Sequence, residues 1–329
     1  MSAAPRSLWR GVLVAITTPF RPDGEIDRAA FVRHARWLAG RRVDAIVTAG
    51  SLGEGSTLSA EERVALITDL VAALPADVPV IAAVAAARTD EAVAQARRAK
   101  RAGARGLLVL PPYVYRGDRA ETRAHFGAVF SATDLPCMLY NNPPAYGTDV
   151  EPDDVEELAR THPTLAAAKE SSGDARRIAA LTARLGPRVE VAVGLDDCVL
   201  DGVRAGAVGW VAGLANALPD ESVALFSAAV RADVRTAGAL YRWFRPLLQM
   251  DTGPKFVQRI KLVQAELGWG NPRVRMPRLE LGGAEREETE ATLRACLARR
   301  PRLPSPVGPE GADASPPRTR QRAGASRSA

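Results

Sequence analysis

The chain has 329 residues, 47% of them hydrophobic and 25% charged, enough to bury one large core, and it holds no run of about 18 apolar residues that would span a bilayer. Its opening, MSAAPRSLWRG, is too short and too polar for a signal peptide, so a cytoplasmic protein with no membrane partner is expected. Half of the net charge of +6 lies in residues 301–329, where five arginines face two acids; the rest has no basic run interleaved with aromatics, so no nucleic-acid partner is expected.

In chain order, short segments rich in Val, Ile, Leu and Ala occur at 12–17, 45–48, 80–84, 106–110, 137–140, 166–169, 190–193 and 208–212, each one βα unit from the next. Apolar runs of this length suit strands buried on both faces, and the stretches between them have helical spacing. Ser59 with Glu62 resembles a capping box, Asp90 and Asp118 stand near helix starts, and Gly103 follows a helix end. The alternation predicts an α/β fold, a (β/α)₈ TIM barrel over 1–216, with 217–300 supplying barrel-closing and C-terminal helices of the same domain, the last over 284–299. From residue 301 the chain is Pro, Gly, Ser, Ala and Arg with little to bury, and a disordered tail is expected.

A parallel barrel places its site at the C-terminal ends of its strands, which nominates Thr17, Thr18, Ser51, Glu54, Tyr113, Tyr115, Tyr140, Asn141 and Lys169. Lys169 stands out because the chain has four lysines against forty arginines. A guanidinium stays protonated, whereas a desolvated lysine can lose its proton and attack a carbonyl carbon. Composition alone leaves another reading open, a lysine paired with Glu170 or another acid. Tyr140, on the neighbouring strand, is placed either to relay protons or to anchor a loop through its hydroxyl. The turn Gly50-Ser-Leu-Gly-Glu-Gly55 offers backbone N–H groups to an anion but lacks the GK[ST] ending of a P-loop. His34, His125 and His162 are scattered, and Cys137, Cys198 and Cys296 form no CxxC pair. No metal, disulfide framework or cofactor is therefore expected. No GxSxG elbow is present and no GxGxxG follows the first strand, and Trp243, Phe244, Leu247 and Leu248 read as helix packing.

Gly50-Ser-Leu-Gly-Glu54, Leu139-Tyr-Asn-Asn-Pro143, Lys169-Glu-Ser-Ser-Gly-Asp174 and Gly194-Leu-Asp-Asp197, each at a predicted strand end, resemble the motifs of the dihydrodipicolinate synthase/N-acetylneuraminate lyase family. The resemblance covers residues 9–298. It implies a TIM barrel with C-terminal helices, commonly a homotetramer, acting on a small-molecule 2-oxo acid. It makes Lys169 the Schiff-base lysine, Tyr140 the proton-relaying tyrosine and Ser51 the hydroxyl that contacts the substrate carboxylate and Tyr140. Gly50, Ser51 and Leu52 would cradle that carboxylate. Gly194 and Val211 would line the site with backbone, and Thr17 would support it from the first strand.

Three positions depart from the synthase pattern. Leu52 replaces the motif's second threonine, Val114 stands where a second relay tyrosine aligns, flanked by Tyr113 and Tyr115, and Ala145 takes the place of an arginine that grips the aldehyde substrate's carboxylate. Without a bidentate partner at 145, aspartate semialdehyde is disfavoured as co-substrate. Pro112-Tyr-Val-Tyr-Arg116, Tyr140-Asn-Asn-Pro-Pro-Ala-Tyr-Gly147 and Tyr241-Arg-Trp-Phe-Arg-Pro-Leu-Leu248 look more like the branch that deaminates 1-pyrroline-4-hydroxy-2-carboxylate in hydroxyproline breakdown. That branch implies attack of Lys169 on a cyclic imino acid, expulsion of its hydroxyl, and water-dependent release of 2,5-dioxopentanoate and ammonia. The acid that assists hydroxyl departure is not readable from the sequence. Alternatives within the family are 4-hydroxy-tetrahydrodipicolinate synthase and a sugar-acid dehydratase or aldolase; one of another class is a non-catalytic barrel that binds a keto acid.

Overall fold

The computed structural model describes residues 7–303. In it eight parallel strands close on themselves: β1 (Gly11–Ala15), β2 (Ala45–Thr48), β3 (Val80–Val84), β4 (Gly106–Val109), β5 (Cys137–Asn141), β6 (Leu165–Glu170), β7 (Glu190–Val193) and β8 (Gly209–Ala212). β1 pairs with both β2 and β8, so no strand edge is left open. This is the expected (β/α)₈ barrel, with C-terminal helices present. The first strand stops at Ala15 rather than 17, because the Thr17 N–H turns away from the ladder and donates to Asn216 Oδ1 at 3.2 Å.

Both faces of the strands are buried, which is why they read as near-continuous apolar runs. One set of side chains packs outward against the helices; the other fills the barrel, with Leu13, Val47, Ile81, Leu108, Met138, Tyr140 and Val211 in contact there. Trp9, 3% exposed, plugs the N-terminal end. A Cβ at Gly106, the first residue of β4, would lie 2.8 Å from its ring. Burying an indole contributes roughly 4–6 kcal/mol of transfer free energy. The floor of the barrel is thus sealed opposite the strand ends that matter for chemistry.

Local capping fixes where the outer helices begin. Ser59 and Glu62 close a reciprocal capping box on Ala60–Ala73, and Asp118 with Glu121 does the same for Arg119–Ser131. Asp90 sits inside the first turn of Thr89–Arg101, whose cap position is Arg88. After β8 come helices Pro219–Val230, Val234–Leu248, Phe256–Glu266 and Gly283–Leu297. Trp243 Nε1 donates to the Cys296 carbonyl at 2.7 Å, tying the second of these to the last, and Thr17 Oγ1 donates to Gln264 Oε1 at 2.7 Å, tying the third to the barrel. Among the described residues no helix is long and apolar enough to cross a membrane. Residues 304–329, most of the expected tail, lie outside the described residues.

Candidate active site

The register of β5 on β6 sets Tyr140 directly beside Lys169, and both side chains point into the barrel. The next residue along, Glu170, faces the other way by strand alternation. Its carboxylate accepts from Asn141 Nδ2 at 3.1 Å and from the Ser172 N–H at 2.6 Å, and lies 3.5 Å from Arg177 Nε. The Lys169–Glu170 pairing left open by the sequence is therefore not made. Lys169 Nζ sits 3.9 Å from the centroid of the Tyr140 ring. Among the described residues no carboxylate lies within ion-pair distance of it. Burial of the 7% exposed side chain lowers its pKa to about 8, against the opposing pull of Asp251 and Asp196 farther off.

Small neighbours make room for that amine. Ala167 and Ala192 face the barrel on β6 and β7, and a Cβ at Gly194 would lie 2.6 Å from Lys169 Cε and 3.0 Å from Cγ. Tyr140 Oη accepts a 2.9 Å hydrogen bond from Asn142 Nδ2, and burial pushes the phenol up to about 12, which keeps it protonated and able to donate. Val211 faces the barrel from β8.

Ser51 stands between two phenols. Its hydroxyl is hydrogen-bonded to Tyr146 Oη and also interacts with the Tyr140 hydroxyl, where it works against the upward shift of that phenol. Tyr146 closes the short helix Pro143–Tyr146, which starts on Asn142, whose side chain accepts from the Ala145 N–H at 3.1 Å. The Tyr146 ring meets that of Tyr140 edge-on, centroids 5.8 Å apart. Burial raises its pKa far above the usual phenol value. The tyrosines considered around position 114 stand elsewhere. Val114 is 76% exposed, Tyr115 turns out to donate to Glu121 at 3.0 Å, and only Tyr113 packs against the barrel interior. Tyr146 reaches this position through a helical turn after β5.

The turn after β2 is held in a demanding conformation. Ala49 and Glu54 both have positive φ, 58° and 54°, and a Cβ at Gly53 would fall 2.9 Å from the Ile16 carbonyl. Lys261 holds the turn down, its Nζ 2.8 Å from Glu54 Oε1 and 2.8 Å from the Thr18 carbonyl. Gly50 presents the turn at the strand end, and the N–H groups of Ser51 and Leu52 make no hydrogen bond among the described residues. Leu52 packs its side chain into the outer core. Thr17, 1% exposed, has its hydroxyl committed to Gln264, so it braces the first strand end.

Two charged groups near the barrel mouth escaped the sequence reading. Arg116, exposed in the loop after β4, packs on the loop after β5: a Cβ at Gly147 would come 2.6 Å from its Nη2. Asp251, at the end of the Gln249–Asp251 turn, approaches the ends of β7 and β8, its Oδ2 3.4 Å from the Asp196 N–H. Asp196 itself is fully buried and well satisfied, accepting from Trp210 Nε1 at 2.9 Å, Gly213 N–H at 3.0 Å and Leu214 N–H at 2.7 Å. No cluster of His, Cys, Asp and Glu among the described residues has the arrangement of a metal site.

The profile of the dihydrodipicolinate synthetase family matches residues 8–296. The chain belongs to this family. A relative from Salinibacter ruber, named 4-hydroxy-tetrahydrodipicolinate synthase, is 35% identical over 273 residues, 82% of this chain and 89% of the relative. One of the same name from Alcanivorax borkumensis is 32% identical over 290 residues, covering 87% and 97%. Among solved structures, the dihydrodipicolinate synthase of Aquifex aeolicus superposes with a TM-score of 0.82 at 30% identity, over 88% of this chain and 98% of that one. A prophage protein of the family from E. coli K12, solved in complex with pyruvate, gives 0.84 at 26% identity, over 88% and 99%. The chain is thus a lyase of a family whose members work through a lysine Schiff base.

Proposed function

We propose that Lys169 forms the Schiff base with a pyruvate-type 2-oxo acid and that the natural reaction is the pyruvate-consuming condensation named for the relatives, 4-hydroxy-tetrahydrodipicolinate synthesis. The observation that carries this is the desolvated, unpaired amine of Lys169 held over Tyr140 at the C-terminal end of the barrel. In this reading the free N–H groups of Ser51 and Leu52 take the substrate carboxylate. Tyr140, Tyr146 and Ser51 form the proton relay, Tyr146 filling the role that position 114 leaves vacant. Arg116, packed against Gly147, is the guanidinium this reading assigns to a second carboxylate in place of Ala145.

Deamination of 1-pyrroline-4-hydroxy-2-carboxylate is the second reading, favoured by Leu52 and Ala145 and by the absence of a tyrosine at 114. Both use the same lysine and the same electron sink. Pyruvate with borohydride should add mass at Lys169; its absence while substrate is consumed defeats both. Parallel assays, one for condensation of pyruvate with aspartate semialdehyde and one for ammonia and 2,5-dioxopentanoate from the pyrroline, separate the two by which substrate turns over.

A further inference from the structure

The Schiff-base reading leaves a charge to be accounted for. An iminium in a closed barrel needs a negative partner within electrostatic reach, and its formation from a free amine consumes a proton. Two carboxyls stand near Lys169, and their surroundings differ. Burial raises the Asp196 pKa to about 6, and the Trp210 indole and the Gly213 and Leu214 N–H groups, which engage both its oxygens, work against that rise and favour the carboxylate. Among the described residues Asp251 has a single long hydrogen bond, 3.4 Å from the Asp196 N–H. Its other oxygen looks over Gly213, where a Cβ would lie 2.7 Å from Oδ1, so the glycine after β8 leaves space for this carboxyl at the strand ends. Lys169 lies over Gly194 at the end of β7, so amine and carboxyl stand over adjacent strand ends.

We propose that Asp251 is the proton store and counter-ion of the Schiff base at Lys169, resting on the reading above. The reactive site holds a neutral Lys169 amine and a protonated Asp251. The amine nitrogen bonds to the substrate carbonyl carbon, and one of its hydrogens passes to the carbonyl oxygen, giving the carbinolamine. The Asp251 proton then joins that hydroxyl, the C–O bond breaks, water leaves, and the nitrogen keeps one hydrogen as the iminium. Asp251 ends as the carboxylate. Charge appears and is balanced inside the barrel with no proton drawn from solvent. The charged and titratable groups facing Asp251 agree with this assignment. Burial and the neighbouring Asp196 and Asp197 hold its pKa well above the usual carboxylate range, while Lys169 opposes them; Tyr140 beyond is a neutral phenol. The site thus follows the pattern in which two carboxyls in unlike surroundings divide the roles of fixed anion and acid.

The deciding measurement counts protons. In weakly buffered solution with an indicator dye, about one pH unit above the Lys169 value of about 8, pyruvate is added to the wild-type chain and adduct is quantified by borohydride trapping. The expected result is no net uptake per adduct. Uptake of a whole proton per adduct overturns the assignment while leaving the Schiff base intact, whereas no adduct overturns the Schiff-base reading and this inference with it. Asp251→Asn should take up about one proton per adduct and need on the order of tenfold more pyruvate for half-maximal trapping, and Asp251→Glu should restore most of both. An Asp251→Asn variant with wild-type values for both counts against the proposal. The wild-type proton count decides the matter even if that variant does not fold.

Discussion

Two of the four lysines are buried, and they differ in what answers their charge. Lys261, on Phe256–Glu266, reaches the Glu54 carboxylate and the Thr18 carbonyl, each at 2.8 Å, and with Glu54 at 0% exposure it forms an ion pair sealed in the fold. Lys169 has an aromatic face beneath it and carboxyls only at a distance. Burial lowers both ammonium groups, yet at Lys261 contact with Glu54 works against the shift. A lysine in contact with a buried carboxylate is a structural cation; one left unpaired in a dry site is an amine in waiting. Rarity of lysine in the sequence marks both residues equally, and only their partners separate them.

The sharpest way to break this comparison is to give both positions the same substitution. Lys169→Met should abolish the borohydride adduct and reduce turnover by at least about 10⁴-fold. Its stability should stay within about 1 kcal/mol of wild type, because no contact partner is left unpaired. Lys261→Met should do the reverse: the sealed Glu54 carboxylate loses its nearest cation and keeps only Arg278 at 3.8 Å, costing about 3 kcal/mol in chemical denaturation. Glu54→Leu in the same chain should recover part of that loss. If Lys169→Met proves the more destabilising of the two, the assignment of roles is wrong.

Acid should act on the structural region in a defined direction. His34 is buried with Nε2 2.8 Å from the Asn216 carbonyl, and desolvation lowers its pKa from 6.5 to about 4. The unfolded chain binds the proton first, so the His34 contribution is fully present above about 6.5 and is lost as pH falls toward 4. The slope is about 1.4 kcal/mol per unit, roughly 3 kcal/mol over the window. Denaturation midpoints between pH 4 and 7 should fall with acid, and His34→Gln should flatten the dependence. The smallest effect expected is at Tyr146→Phe. Removing the hydroxyl bonded to Ser51 should lower kcat about tenfold, about 1.4 kcal/mol, with adduct formation retained. An unchanged kcat would remove Tyr146 from the relay.

The barrel was legible because its signal is local and repeated: eight apolar runs, capping residues at Ser59 and Asp118, and polar residues at several of the strand ends. Lys169 and Tyr140 were legible as neighbours because consecutive strands of a parallel barrel pair in order. Tyr146, Arg116 and Asp251 were not. Tyr146 lies six residues past Tyr140 and returns to the site only through the turn capped by Asn142. Arg116 belongs to the loop after β4, yet packs on the loop after β5. Asp251 sits in what reads as a helical appendage, 82 residues after Lys169, with no motif around it.

The sequence by itself determined the alternation of strand and helix, hence the barrel, and with it the strand ends where chemistry belongs. It also placed a lysine at one of them, because periodicity and chain order are properties of neighbours along the chain. Only the tertiary structure decided which charges meet. It gave Glu54 to Lys261 and Glu170 to Asn141 and Arg177, and left Lys169 over Gly194 with the Tyr140 ring beside it and Asp251 over Gly213 on the neighbouring strand end. The physical reason is that an ionic partner is chosen by distance and dielectric in three dimensions, and residues far apart in the chain satisfy those as readily as adjacent ones.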